Sequence, residues 1–309
     1  MKFSTALPWA GPAGTADNLR TFATTAEALG FHHVKMGEHL VYPAVINAPY
    51  PYTPDGLMPP APSGQRLEML TTFAFLAGQT SRLRFQPSVL LLALRSPFST
   101  AKAVATLDYL SGGRLTLEVG VGWMKDEYDI AGIPFARRGA MVDEYLAALR
   151  LLFEGSGGFA GTYLSFPPLI FEPKPVQRPI PVYIGSGAGR ASLRRIARFG
   201  QGWAPIGLSA DDVAAALPTL HELLDQEGRD DRIELELSLG HVDETAKPGD
   251  LLPRLERLAA IGATSVSVDF GIRSSPVIDD AIAAMHHFAD VVIAQAADLQ
   301  AGDLQAGDL

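Results

Sequence analysis

Short apolar runs alternate with amphipathic stretches eight times along this chain, and no other feature restricts its fold so severely. Strand-type runs fall at 3–7, 33–37, 83–92, 115–121, 182–184, 203–206, 233–239 and 264–270. Between them lie helical patterns. The first is capped by Asp17, carries Leu19, Phe22, Ala23, Ala26 and Leu29 on one face and stops at Gly30. Others span 67–80, 97–110, 141–152, 211–226 and 250–261, with further helices ending at Phe199 and starting at Ile278. Strict alternation of this kind, with right-handed crossovers, specifies an α/β protein built as a (β/α)8 TIM barrel. The expected domain is 1–297, with long loops after strand 2 and before strand 5.

The alternation is densest at 101–123. Ala103, Val104, Leu107 and Leu110 repeat at helical spacing, Ser111-Gly112-Gly113 stops the helix, and Leu115, Leu117, Val119 and Val121 alternate with period two. This strand closes on Gly120-Val121-Gly122. Two readings are open there: glycines that merely turn the chain, or the floor of a ligand site where something flat lies against the backbone. Residues 42–64, rich in Pro, Gly and Tyr, form one long loop, and the proline-rich segment 159–180 is irregular. Strand seven dissents from the pattern, because Glu234 and Glu236 alternate with leucines as in a half-exposed strand. From Gln295 the sequence Gln-Ala-(Ala/Gly)-Asp-Leu repeats three times, so 298–309 reads as a low-complexity tail.

Composition narrows the function. The chain has 309 residues, 47% of them hydrophobic, which is ample for a large core. A net charge of -9 without a Lys/Arg cluster speaks against a nucleic-acid partner. The absence of Cys excludes disulfides, thiol nucleophiles and thiolate metal sites. The first residues are interrupted by Pro8 and Pro12 and do not read as a signal peptide, and no apolar run reaches membrane-spanning length. A cytoplasmic protein with no membrane partner is the expectation.

Barrel sites lie at the C-terminal ends of the strands. Those ends place Trp9, Glu38 and His39, Ser88 and Val89, Gly120 to Trp123, Gly185 to Gly189 and Asp269 to Gly271 together. His39 is either the proton-exchanging side chain or a histidine holding the neighbouring loop. Glu38 either orients His39 or pairs with a cation such as Lys35. The glycine-rich turn at 185–189 leads directly into a helix and offers free N–H groups to a phosphate. His32, His33, His286 and His287 fit packing or solvated roles, and no metal-ligand spacing is present.

The residues also resemble a known family, the luciferase-like monooxygenases, and within it the oxidoreductases that use the deazaflavin coenzyme F420. The likeness runs through Ala26-Glu27-Ala28-Leu29-Gly30-Phe31, Gly37-Glu38-His39, Leu94-Arg95-Ser96-Pro97, Leu110-Ser111-Gly112-Gly113-Arg114 and Gly120-Val121-Gly122-Trp123. It continues through Glu127, Gly132, Arg138, Asp143-Glu144, Pro175-Val176-Gln177 and Ile184-Gly185 to Gln201-Gly202-Trp203. The resemblance implies a barrel with a ring over its strand ends and a phosphate near the fifth strand, held by Gly185, Ser186, Gly187 and Ala188. It implies a non-prolyl cis peptide at Ser88-Val89 behind the ring, His39 near its reacting part, and Gly120 and Gly122 under it. Trp123 and Asp126 complete the expected cofactor contacts, and Trp9 and Tyr42 the substrate pocket.

Two departures from the family pattern carry information. The sugar-phosphate dehydrogenase branch has a Trp soon after the histidine and a Glu at the place of Trp123, so Tyr42-Pro43 and Trp123 argue against sugar-phosphate oxidation. The phosphate loop has Gly185-Ser186 where relatives often have two glycines. The expected activity is F420-dependent hydride transfer to or from a small organic substrate, with His39 and Glu38 as catalytic residues. The alternatives are an FMN-dependent monooxygenase fed by a partner reductase and a catalytically silent barrel. A homodimer packed through barrel helices is expected from the resemblance.

Overall fold

The structure is a computed structural model, and it describes residues 1–57, 66–155, 157–271 and 278–294. The chain opens with β1 (Lys2–Ala6), α1 (Ala16–Ala28) and β2 (His33–Met36). Next come α2 (Met69–Ala77), β3 (Arg84–Pro87), β4 (Leu90–Leu91), α3 (Pro97–Leu110) and β5 (Leu117–Gly120). Helices α4 (Lys125–Ile130) and α5 (Arg138–Glu154) follow, then a two-strand ribbon, β6 (Phe159–Ala160) with β7 (Ser165–Phe166). The second half is β8 (Val182–Ser186), α6 (Arg190–Phe199), β9 (Gly202–Pro205), α7 (Ala210–Gln226), β10 (Glu234–His241), α8 (Pro248–Ile261), β11 (Ser265–Asp269) and α9 (Ile278–Phe288).

Parallel pairing runs β3-β2-β1-β11-β10-β9-β8-β5-β4, and a Phe85–Leu115 bridge brings the two ends of this order together. β3 and β4 are two parts of one stave, so the sheet closes as the expected eight-staved barrel. Strand three is therefore not continuous over 83–92: it breaks at Ser88-Val89, a cis peptide. The ribbon and α4 were not legible as separate elements, being too short for a periodic signal. Thr15, rather than Asp17, caps α1, accepting from Asn18 N at 3.2 Å. The tail from 298 lies outside the described residues.

Two apolar and polar layers divide the staves by alternation. Outward side chains pack against the helices: Phe3 meets Phe288 edge-on at 5.4 Å, and Phe85 meets Phe73 at 5.5 Å. Inward positions are polar, and on strand seven Glu234 is partly exposed as the sequence reading expects, whereas Glu236 corrects it. Leu235 and Leu237 face the helices, while Glu236 is 3% exposed and points into the barrel. The alternation that signals a half-exposed strand elsewhere arises here because the barrel interior itself is charged. The Ser111-Gly112-Gly113 turn works as expected, with both glycines at positive φ (69° and 83°), which only glycine adopts at little cost. Among the described residues no helix is long and apolar enough to cross a membrane.

Candidate active site

The barrel mouth has a floor made by one side chain. After the cis peptide the Val89 isopropyl group turns inward between two strand ends. A Cβ on Gly120 would stand 2.4 Å from Val89 Cγ2, and one on Gly185 would stand 2.2 Å from Cγ1. Both glycines are thus small to admit Val89. This revises the expectation for Gly120, whose missing side chain is replaced by protein. Gly122, at φ +71°, faces Leu91 and Tyr128. Trp9 lies beside the floor, its Cζ2 3.4 Å from where a Gly37 Cβ would be, and Ser88 O is 3.6 Å from the same point.

His39 follows β2 at the rim, and its side chain is 16% exposed. Its Nδ1 is 3.0 Å from Oε2 of Glu127, while Oε1 of that carboxylate accepts the backbone N–H of Leu40 at 2.6 Å and Val41 at 3.3 Å. Glu127 is 2% exposed and sits in the first turn of α4. A carboxylate oxygen that accepts here makes Nδ1 the donor, so in the neutral ring Nε2 is the acceptor. His39 is thus tied to its neighbours through Nδ1, and among the described residues its Nε2 has no hydrogen-bond partner. Tyr42 stands 4.6 Å and Trp123 6.2 Å from its ring, and Tyr50 packs on Trp123 at 5.0 Å. An aromatic wall surrounds one histidine.

Glu38 does not reach His39. Beyond the end of β2, Glu38 turns away to bond Arg95 Nε at 2.7 Å and the Leu91 N–H at 2.6 Å. Arg95 also pairs with Glu68. Burial pushes the Glu38 carboxyl above its ordinary range, although Arg95 pulls it down. It is a clamp between β2 and the β4 stave and not the catalytic partner expected; nor does it meet Lys35, which points into the barrel. Glu127 takes the orienting role. Its place in the resemblance was visible, but 88 residues separate it from His39, so no local signal joined them. Asp126 is likewise reassigned: its carboxylate holds the 42–57 loop through Asn47 N (3.2 Å), Asn47 Nδ2 (2.9 Å) and Ala48 N (2.8 Å). His33 bonds Thr116 at 3.0 Å inside the barrel, and burial lowers His32 to about 4, in keeping with packing roles for both.

Across the mouth from His39, β8 delivers the glycine turn. Ser186 O accepts from Trp203 Nε1 (3.2 Å) and Ile206 N (3.1 Å), while its buried hydroxyl has no partner among the described residues. Cβ atoms on Gly187 and Gly189 would meet nothing within 4 Å. The N-cap Gly189 makes no side-chain cap bond, so no capping side chain satisfies the first N–H groups of α6, which starts at Arg190. A helix start of this kind suits a phosphate. The residues present fit a phosphate-bearing ring cofactor: a flat floor at Val89, an anion cradle at Gly187 to Arg190, and an oriented histidine between aromatic rings. Among the described residues no group of His, Asp and Glu is placed to hold a metal.

Comparisons with known proteins agree with this fold. A family profile described as luciferase-like monooxygenase matches residues 1–247. An uncharacterized protein of Mycobacterium tuberculosis is 32% identical over 270 residues, covering 86% of this chain and 91% of that one. Among solved structures, the monooxygenase RslO1 from Streptomyces bottropensis superposes with a TM-score of 0.79 at 21% identity, over 96% of this chain and 99% of that one. An F420-dependent secondary alcohol dehydrogenase, in complex with an F420-acetone adduct, gives 0.74 at 16% identity over 95% and 99%. The oxygenating constituent of 3,6-diketocamphane monooxygenase from Pseudomonas putida, a type II Baeyer-Villiger enzyme in complex with FMN, gives 0.73 at 13% over 94% and 98%.

Proposed function

The chain belongs to the luciferase-like monooxygenase family of oxidoreductases, and from that premise we propose that it is an F420-dependent enzyme moving a hydride between C5 of the deazaflavin and a small organic substrate. The observation that carries this reading is His39 after β2, fixed by Glu127 through Nδ1 and with no partner at Nε2 among the described residues. The deazaflavin would supply the hydride chemistry. The protein's part is orientation and one proton: Val89 backs the ring, Gly187 to Arg190 take its phosphate, and His39 Nε2 gives or accepts the proton on the substrate oxygen. Trp9, Tyr42, Tyr50 and Trp123 exclude water and favour an apolar substrate. The Val89 bulge, which the resemblance places behind a deazaflavin ring, supports F420. The similarity to an FMN complex supports a second reading, an FMN monooxygenase supplied with reduced flavin by a reductase.

Fluorescence titration of the purified protein with F420 and with FMN, each oxidised and reduced, tests the two readings. Tight binding of F420 alone is expected. Preference for FMN makes the protein a flavin monooxygenase. Binding of neither turns it into a silent barrel, a reading that His39→Ala checks by leaving its behaviour unchanged.

A further inference from the structure

Directly beneath the Val89 floor lies a cluster that the hydride reading does not use. Lys35 Nζ on β2 is 2.8 Å from Glu236 Oε1 and 3.0 Å from Glu118 Oε2. Gln86 on β3 donates through one nitrogen to Glu118 Oε2 at 2.8 Å and Glu236 Oε2 at 2.7 Å, and Ser4 on β1 donates to Glu236 Oε1 at 2.7 Å. Both glutamates are 1% exposed at the side chain. One cation thus serves two buried carboxylates whose oxygens converge on the same ammonium and the same amide. Two such groups resist being ionised together.

The donors are divided unequally. Among the described residues Glu236 receives three, across both of its oxygens, and Glu118 receives two, both on Oε2. The other Glu118 oxygen points toward the mouth, 2.8 Å from where a Gly185 Cβ would stand and beside Val89. Gln86 Oε1 is a buried acceptor with no donor among the described residues, a further sign that the cluster is short of one hydrogen. Burial pushes the Glu118 carboxyl up, whereas for Glu236 burial is outweighed by the Lys35 charge together with the hydrogen bonds from Lys35, Ser4 and Gln86, which hold it down.

We propose that Glu118 stores one proton at Oε1 beneath the floor and acts as a positioning residue for charge: protonated, it leaves the floor neutral, and ionised, it opposes an anionic ring above it. The proton exchanges with bulk water, and only an O–H bond forms or breaks. The proposal rests on the reading that a flavin or deazaflavin ring lies on Val89. The charged and titratable groups facing Glu118 are Lys35 and Glu236, with Gln86 as its neutral donor, so its titration is set inside the barrel.

Two measurements test it. Infrared difference spectra of the cofactor-free protein should show a protonated carboxyl band that disappears in Glu118→Gln. The band should also disappear in Glu236→Gln, where Lys35 serves Glu118 alone and lets it ionise. Absence of the band from the unaltered protein, or its survival in Glu118→Gln, overturns the proposal. The second measurement is the dissociation constant of reduced FMN and of F420 for the protein and for Glu118→Gln, over a range of pH. The ligand's own titration is common to both and cancels in the ratio. That ratio should be near one at low pH and reach about tenfold at high pH, the protein binding more weakly than the variant, as expected for one added charge nearby. A flat ratio overturns the coupling. If neither ligand binds at any pH, the functional reading and the coupling both fall, while the infrared band still decides where the proton is.

Discussion

Replacing Glu127 by Gln isolates what the His39 contact contributes. The carboxylate serves three donors: Nδ1 of His39 at 3.0 Å and the N–H groups of Leu40 and Val41 at 2.6 and 3.3 Å. A glutamine has one acceptor oxygen and one NH2 group. With two backbone donors on one side, its oxygen stays with them and its NH2 turns to His39, where it must donate to Nδ1. The hydrogen then moves to Nε2, and a charge-assisted bond worth about 2 kcal/mol is lost. If that bond is needed only in the transition state, kcat falls roughly 30-fold with KM little changed. The assay is cofactor turnover in a double-mutant cycle with His39→Ala, together with nitrogen NMR of the His39 tautomer. Glu127→Gln should cost about 30-fold beside His39 but no more than about twofold in the His39→Ala background, and the tautomer should switch. Equal losses in both backgrounds would refute the reasoning and leave Glu127 as an anchor for the Leu40 backbone.

Three further outcomes are expected. Gly185→Ala puts a methyl 2.2 Å from Val89 Cγ1 and 2.8 Å from Glu118 Oε1, so it should destabilise by about 3 kcal/mol, and Val89→Ala should restore most of the loss in thermal unfolding. Arg95→Ala leaves Glu38 buried without its cation and should cost about 3 kcal/mol by denaturant titration, whereas a loss below about 1 kcal/mol would show that the clamp is dispensable. Burial raises Glu27, but hydrogen bonds from Leu83 N, Arg82 N and Ser81 outweigh it and bring the carboxyl from 4.5 to about 2. A depressed folded value stabilises above the unfolded one, so this contribution, about 1 kcal/mol after solvent screening, is present above pH 4.5 and lost as pH falls toward about 2. Glu27→Gln should remove that part of the acid sensitivity, and an unchanged acid transition would show that Glu27 does not supply it.

Much of the site was readable because its signals are local. The run Gly37-Glu38-His39 follows a strand wherever the chain is placed, so His39 had to arrive at the strand's C-terminal end, and Gly187 to Gly189 had to lead into a helix. Local reading failed where partners are distant. Glu38 and His39 are neighbours in sequence yet point to opposite sides, one to Arg95 and the other to Glu127. Asp126 and Glu127 sit side by side on α4 and still serve different loop segments, Asn47-Ala48 and Leu40-Val41. Gly120 was recognisable as a place where something approaches the backbone, but not that the approaching group is Val89.

The order of strands and helices, their turns at Gly30 and Gly112-Gly113, and the end of the barrel at which the candidate site gathers follow from the sequence itself. Periodicity, capping and the conformational freedom of glycine act over a few residues and do not depend on what the chain meets later. The charged interior and the His39–Glu127 pair were decided by tertiary structure. Lys35 and Glu236 are 201 residues apart, and only closure of the barrel, with its particular register, sets them against Glu118 in a space from which water is excluded. There burial makes each charge depend on its partners, and no pattern along the chain records which partners those are.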